Sequence, residues 1–109
     1  MPHYVLLSTL TSKGGQSLHA KPSRVASVNK EVKAFGCQIV AQYATLGAYD
    51  FVTVIEAPNN ETIAHLSIGL SSRGTVKITT LPAIPVTRLI AKLKGPKQMG
   101  KRRKRRAKK

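Results

Sequence analysis

Acidic residues are scarce in this sequence of 109 amino acids, which has 4 Asp and Glu against 19 Lys and Arg and a formal net charge of +15. Aromatic residues make up only 5% of the chain and tryptophan is absent, so aliphatic side chains must form most of any core. The single cysteine, Cys37, excludes an internal disulfide and a multi-cysteine metal site, and we expect it to pack as a small apolar residue. No run reaches the roughly 18 apolar residues of a membrane span, and the N-terminus does not resemble a signal peptide. We therefore expect a cytoplasmic protein that does not associate with membranes.

The chain also lacks the side-chain combinations on which enzymes depend. Its three histidines, His3, His19 and His65, fall in different segments, and no two of them have the spacing of metal ligands. Four carboxylates are too few to complete an ordinary metal site, and Gly14-Gly15 does not have the spacing of a phosphate-binding loop. We therefore predict no catalytic residues, no metal and no cofactor, and we assign surface or structural roles to the histidines.

The hydrophobic pattern predicts four strands and two helices in the order βαββαβ. The strands are predicted at residues 4–10, 38–43, 50–56 and 75–81. A loop marked by Gly14-Gly15 follows the first strand, and the first helix begins near Pro22-Ser23 and ends at Gly36. The second helix begins at Asn59-Asn60-Glu61, and residues 87–93 are predicted to form one or two helical turns.

Each predicted helix has one apolar stripe that must face a core. The stripes consist of Val25, Val28, Val32 and Phe35 in the first helix and of Ile63, Leu66 and Leu70 in the second. Two right-handed βαβ units joined by a hairpin predict an α+β, ferredoxin-like fold, a four-stranded antiparallel sheet with both helices on one face. The other face, with residues such as Phe51 or Val52, is left uncovered, which predicts a homodimer through the sheet or docking on a protein partner.

The hairpin between the second and third strands resembles a known family. Residues 47–52 read Gly-Ala-Tyr-Asp-Phe-Val, and Glu56-Ala57-Pro58 follows the third strand. This pattern is similar to the signature of the GYD-domain family, with Gly47, Tyr49 and Asp50 as the motif residues, and the likeness extends over about residues 2–83. The resemblance implies a ferredoxin-like fold related to the dimeric α+β barrel proteins, and it implies no particular activity.

Basic residues are concentrated at the C-terminal end of the sequence. Residues 94–109 carry a charge of +10 with no acid, whereas residues 1–93 carry +5. We therefore divide the chain into a GYD-type domain at 1–84, a linker or helical turn at 85–93, and a basic segment at 94–109. Alone in water such a segment is too polar to bury a core and is expected to be disordered. The residues predicted to bind nucleic-acid phosphates are Lys94, Lys97, Lys101, Arg102, Arg103, Lys104, Arg105, Arg106, Lys108 and Lys109.

Six consecutive basic residues at 101–106 favour a polyanion as the partner. The hypothesis that follows is a non-enzymatic RNA-binding protein, associated with the ribosome and contacting ribosomal RNA without base readout, since the segment has no aromatic residue. Recognition of RNA on the sheet face is disfavoured because the fourth strand has no aromatic residue to stack bases. A nucleoid protein that binds DNA, a nuclear-import signal and an anionic membrane surface are the competing explanations of the same charge, and the membrane has the least support.

A small-molecule-binding or enzymatic α+β barrel protein is the alternative from a different class. Tyr49 and Asp50 are its candidate site, because a carboxylate beside a phenol can polarise the hydroxyl. Adjacent strand residues point to opposite faces of a sheet, however, so a structural role in the hairpin is the favoured explanation of both.

Overall fold

A computed structural model of the protein describes residues 1–95. Strand β1 spans His3–Leu10 and is followed by helices α1 (Ser12–Ala20) and α2 (Arg24–Ala34). Strands β2 (Gln38–Ala44) and β3 (Phe51–Glu56) form a hairpin, and helix α3 (Asn60–Ser71), strand β4 (Val76–Ala83) and helix α4 (Val86–Leu93) complete the order. Within residues 1–95, none of these helices combines the length and the apolar character that crossing a bilayer requires.

The four strands form one antiparallel sheet in the order β2-β3-β1-β4. This order places the two strands that precede helices, β1 and β3, at the centre, as expected when two βαβ units are interleaved. The prediction of a ferredoxin-like α+β fold is confirmed.

The core lies between one face of the sheet and the helices. Tyr4 and Leu6 of β1, Ile55 of β3 and Ile63 and Leu66 of α3 are buried there. Alternation along the strands sets this side, because Val5 and Leu7, between and after the buried residues of β1, belong to the opposite face. The remaining buried apolar residues are Val32, Cys37 and Ala57. Burial raises the pKa of the Cys37 thiol, so this cysteine remains a protonated, packed side chain, as predicted.

Local signals at the ends of α2 and α3 agree with the structure in most respects. Asn59 caps α3, since its Oδ1 accepts a hydrogen bond of 2.8 Å from the Thr62 backbone N–H. Gly36, with φ of +82°, follows α2 in the left-handed conformation that glycine tolerates. Ser23, by contrast, makes no capping bond with its side chain. Phe35 lies at the end of the predicted inner stripe, and its ring instead packs half-exposed against His65, with centroids 5.0 Å apart.

Helix α1 lies where the sequence predicted a loop. Its start is held against the turn that precedes β4: the Thr11 N–H donates to the Thr75 carbonyl oxygen at 3.0 Å, and the Thr11 hydroxyl donates to the Gly74 oxygen at 2.6 Å. The Thr11 Oγ1 also accepts from the Gly14 N–H and caps the helix. A Cβ on Gly14 would lie 1.9 Å from the Thr75 oxygen, so this glycine permits close packing of the helix. The Gly14-Gly15 pair therefore indicates a tight contact within a helix and not a loop.

A cavity of about 130 Å³ separates α1 and α2 from the sheet. Of the predicted stripe of α2, only Val32 is buried, whereas Val25 and Val28 are half-buried and line the cavity. The helical layer thus lies over the sheet without being fully packed on it.

Both edge strands of the sheet carry an interruption. In β2 the register shifts between Ile39 and Ala41, which leaves Val40 without a partner in a β-bulge. Pro82 lies within β4 and pairs with Tyr4, although this strand was predicted to end at residue 81. Proline is tolerated here because β4 is an edge strand, and its missing N–H is lost on the side that has no neighbour.

We predict that Gly14→Ala lowers the free energy of unfolding by about 1–3 kcal/mol, because the new methyl group must displace the backbone of Thr75. Gly15→Ala is the matched control. Nothing lies within 4 Å of the Cβ position of Gly15, so alanine there should raise the free energy of unfolding by about 0.5–1 kcal/mol through helix propensity. Urea denaturation measures both variants, and equal effects of the two substitutions would contradict the packing role of Gly14.

Candidate functional site

Helix α4 presents an apolar stripe that no other part of the described chain covers. Val86, Leu89, Ile90 and Leu93 follow the spacing i, i+3, i+4 and i+7 and therefore lie on one side of the helix. Their exposed fractions lie between 45% and 67%, and no residue of α4 is buried. The same spacing is present in the sequence, but the segment was predicted only to be a linker or helical turns.

The face of the sheet opposite the core is a second apolar surface. Val5 pairs with Val54 in β3 and with Leu81 in β4, and Leu7 pairs with Val52, so these side chains form a continuous patch. Within residues 1–95 no helix covers this patch. Of the two residues predicted to lie on it, Val52 is placed there, whereas Phe51 lies on the other face and lines the cavity.

The edge of the uncovered face near the start of β1 carries a close contact between a histidine and a carboxylate. The Nε2 of His3 lies 3.2 Å from the Oε2 of Glu56, its cross-strand neighbour. In the part of the chain that the structure describes, no three His, Cys, Asp or Glu side chains come together as metal ligands do. His19 is exposed at the end of α1, and His65 is exposed on α3.

The motif residues Gly47, Tyr49 and Asp50 lie in the loop of the β2–β3 hairpin. The Asp50 Oδ2 accepts a hydrogen bond of 2.7 Å from the Leu10 backbone N–H, and the Asp50 N–H donates to the Ser8 oxygen at 2.8 Å. Strand β3 begins at Phe51, opposite Ser8, so the Leu10 N–H has no partner in β3 and the Asp50 carboxylate satisfies this donor. Gly47 has a φ of +102°, which only glycine adopts readily.

The side chain of Tyr49 makes no hydrogen bond within residues 1–95, while its carbonyl oxygen accepts from the Thr45 hydroxyl at 2.7 Å. The structure therefore does not join the Tyr49 hydroxyl and the Asp50 carboxylate in one constellation. Asp50 closes the open end of β1, in agreement with a structural role for the motif.

Of the ten basic residues predicted to contact phosphates, only Lys94 lies within the described chain, exposed directly after α4. The other nine lie outside the described residues: Lys97, Lys101, Arg102, Arg103, Lys104, Arg105, Arg106, Lys108 and Lys109. No finding tests any of the ten as a phosphate ligand, so this assignment stays a prediction.

Residues 4–93 match the model of the GYD domain. The chain belongs to the GYD domain family. The resemblance carried by the hairpin motif is thereby confirmed, and the match extends beyond the predicted limit of residue 83 to the end of α4. The basic segment 94–109 lies outside the match. No solved structure matches this GYD domain protein significantly.

A curated relative of this GYD domain protein is named for its partners. It is the glutamine synthetase and cystathionine beta-lyase binding protein of Thermus thermophilus, and the two proteins are 52% identical over 95 residues. The alignment covers 86% of this chain and 100% of the relative.

The predicted function of an RNA-binding, ribosome-associated protein is wrong, because the relative is named for binding two enzymes. The predicted RNA partner is wrong for the same reason, whereas docking on a protein partner agrees with the relative's name. The error came from giving the greatest weight to the charge of residues 94–109, which the family match does not include. Homodimerisation through the sheet has no finding for or against it and stays a prediction.

We predict that Asp50→Ala lowers the free energy of unfolding by about 1–3 kcal/mol, because the N–H of Leu10 loses its acceptor. Asp50→Asn should cost less, since the amide oxygen can still accept this hydrogen bond. Tyr49→Phe serves as the control and should change stability by less than about 0.5 kcal/mol. Thermal denaturation of the three variants checks the prediction, and an unchanged stability of Asp50→Ala would refute the closing role of the carboxylate.

Proposed function

We propose that this GYD domain protein is a non-catalytic binding protein whose partners are enzymes of the two kinds named for its Thermus relative, glutamine synthetase and cystathionine beta-lyase. The observation that carries the proposal is the 52% identity, which extends over the full length of that relative. Because the similarity is not confined to one motif, the surface that the relative uses has a counterpart in this chain.

Helix α4 is the part of the surface best suited to contact an enzyme. A helix of eight residues is short for independent stability in water, so it gains most from a partner that buries its apolar side. Anchors at i, i+3, i+4 and i+7 are the pattern by which an amphipathic helix fills an apolar groove. The family match ends at the last residue of α4, which places this helix within the part of the chain shared with the family.

The charges beside the stripe specify the groove further. Arg88 and Lys92 lie on α4 and Lys94 follows it, and the helix has no acidic residue. The complementary surface on the enzyme is therefore an apolar groove with acidic residues at its rim, which would also accelerate the encounter of the two proteins. Partners of this kind imply a cytoplasmic protein, and association with a ribosome or nucleoid is not needed.

The proposal of a non-catalytic role has two supports. The relative is named as a binding protein, and the Asp50 carboxylate, which was the best candidate for acid–base chemistry, is already engaged by the backbone of Leu10. Tyr49 is left without the polarising partner that a reactive phenol requires.

We predict that Leu89→Asp weakens binding to glutamine synthetase from the same organism at least about tenfold, because a charge must then be buried in the apolar groove. Ala91→Asp introduces the same charge on the opposite side of α4 and is the matched control, expected to bind within about threefold of the natural protein. Isothermal titration calorimetry with the purified enzyme measures both, and a parallel titration uses cystathionine beta-lyase. Equal affinities of the two variants would exclude the stripe as the contact surface.

A variant truncated after Gly95 tests independently whether the basic segment contributes to binding of the enzyme. We expect it to bind the enzyme with unchanged affinity at about 0.3 M salt, where steering by exposed charges is largely screened. The reason is that the family match ends at residue 93. A tenfold loss of affinity on removal of residues 96–109 would move the contact surface into the basic segment.

A further inference from the structure

The cavity under helices α1 and α2 is separate from the surface proposed to bind enzymes. It lies on the helix-covered side of the sheet, between β1, β3 and the inner sides of α1 and α2, whereas every residue of α4 is exposed and none of them lines the cavity. Most of its wall is aliphatic, including side chains from all four strands and three helices. Representative members are Leu6, Leu18, Val25, Val28, Ile39 and Ile78.

Polar contacts fix the position of α2 above the cavity. Helix α2 is joined to β2 by a reciprocal amide pair, in which the Asn29 Nδ2 donates to the Gln42 Oε1 at 2.9 Å and the Gln42 Nε2 donates back to the Asn29 Oδ1 at 3.3 Å. It is joined to the turn before β4 by the Arg73 guanidinium, whose two nitrogens donate to the Glu31 carboxylate at 2.6 and 3.0 Å. This pairing holds the pKa of the Glu31 carboxyl below its ordinary value. The cavity is thus preformed, as small-molecule sites usually are.

One side of the cavity offers hydroxyl hydrogen-bond donors, on a wall whose remaining residues are mostly apolar. Thr53 is 6% exposed and lines the cavity, and its Oγ1 accepts from the Gln42 Nε2 at 3.3 Å. Within residues 1–95 the hydroxyl proton of Thr53 has no acceptor, and the neighbouring Ser8 hydroxyl, which also lines the cavity, makes no hydrogen bond. Two hydroxyl donors on adjacent strands are therefore available to an acceptor group inside the cavity.

The charged residues of the cavity wall are both cationic. Arg24 and Arg73 line it, and no Asp or Glu does. Arg73 is paired with Glu31, whereas the guanidinium of Arg24 makes no hydrogen bond within the described chain. The Glu31 carboxylate also lies in the field of Arg24 and offsets one of the two positive charges, so a single net positive charge at the wall favours an anion over a cation.

We propose that this cavity binds a small carboxylic acid with an apolar body about the size of a benzene ring. The volume of about 130 Å³ is close to the roughly 150 Å³ of an engineered apolar cavity that binds benzene. The apolar body contacts Val25 and Val28, and the carboxylate accepts from the hydroxyls of Ser8 and Thr53 in the field of Arg24. An amine of the same shape would find neither an acceptor of opposite charge nor a favourable potential.

The test uses the full chain with labelled methyl groups and follows the resonances of Val25, Val28 and Ile55 by NMR during titration. The probes are benzoate, its neutral analogue benzyl alcohol and its cationic analogue benzamidine. We expect saturable shifts with benzoate, a dissociation constant on the order of a millimolar, and binding at least about fivefold weaker for both analogues.

Three substitutions locate the binding in the cavity, and two of them have matched controls. Val28→Phe fills the space and should abolish the shifts. Thr53→Val removes a hydroxyl donor at nearly constant shape and should weaken benzoate binding about fivefold, whereas Thr79→Val, on the uncovered face of the same sheet, should have no effect. Arg24→Gln should weaken benzoate about fivefold and leave benzyl alcohol unchanged, and Arg88→Gln on α4 removes the same charge away from the cavity.

The proposal would be overturned if none of the three probes gave saturable shifts at concentrations up to about 20 mM. It would also be overturned if benzoate still produced saturable shifts in Val28→Phe. Equal binding of benzoate and benzamidine would overturn the assignment to carboxylic acids. If Val28→Phe does not fold, the contrast between Thr53→Val and Thr79→Val decides. None of these measurements involves an enzyme partner, so their outcome is independent of the proposed docking function.

Discussion

The contact of Gly14 with the Thr75 backbone is the constraint on which the arrangement of the helical layer depends. Together with the two hydrogen bonds of Thr11, it fixes the start of α1 against the turn that precedes β4. The chain that leaves β1 must therefore cross the end of the sheet before α2 can begin. If the chain passed from β1 directly into α2, that end of the core would be exposed and α1 would not cover the cavity.

The molecule separates two kinds of apolar surface. One lies between α2 and the sheet, with donors from Ser8 and Thr53 and cations at its wall, and has room for a small anion. The other is presented outward by α4 and the uncovered sheet face, where a protein partner can contact it. Both lie within the part of the chain that matches the family, so neither depends on the basic segment.

Much of the fold could be predicted from the sequence because its signals are local. Short apolar runs flanked by polar residues marked the strands, Asn59 marked the start of α3, and the short β2–β3 connection favoured an antiparallel hairpin. Helix α1 was missed because Gly14 and Gly15 lower helix propensity, and only the distant Thr75 explains the first of them. The cavity was also beyond the sequence, since the stripe of Val25, Val28 and Val32 reads the same whether it meets a core or an empty space. The function was misjudged because a dense run of charge is conspicuous in a sequence, whereas a half-exposed helix such as α4 is not.

The interruptions at the two edges of the sheet bear on how such an exposed apolar surface is tolerated. The bulge at Val40 bends one edge, and Pro82 withholds a backbone donor at the other. Edges of this kind resist the addition of further strands, which is the common route from an exposed sheet to aggregation. Association is consequently left to the uncovered sheet face and to α4, where side-chain shape and charge select the partner. Strand addition at the edges does not compete while those two surfaces are unoccupied.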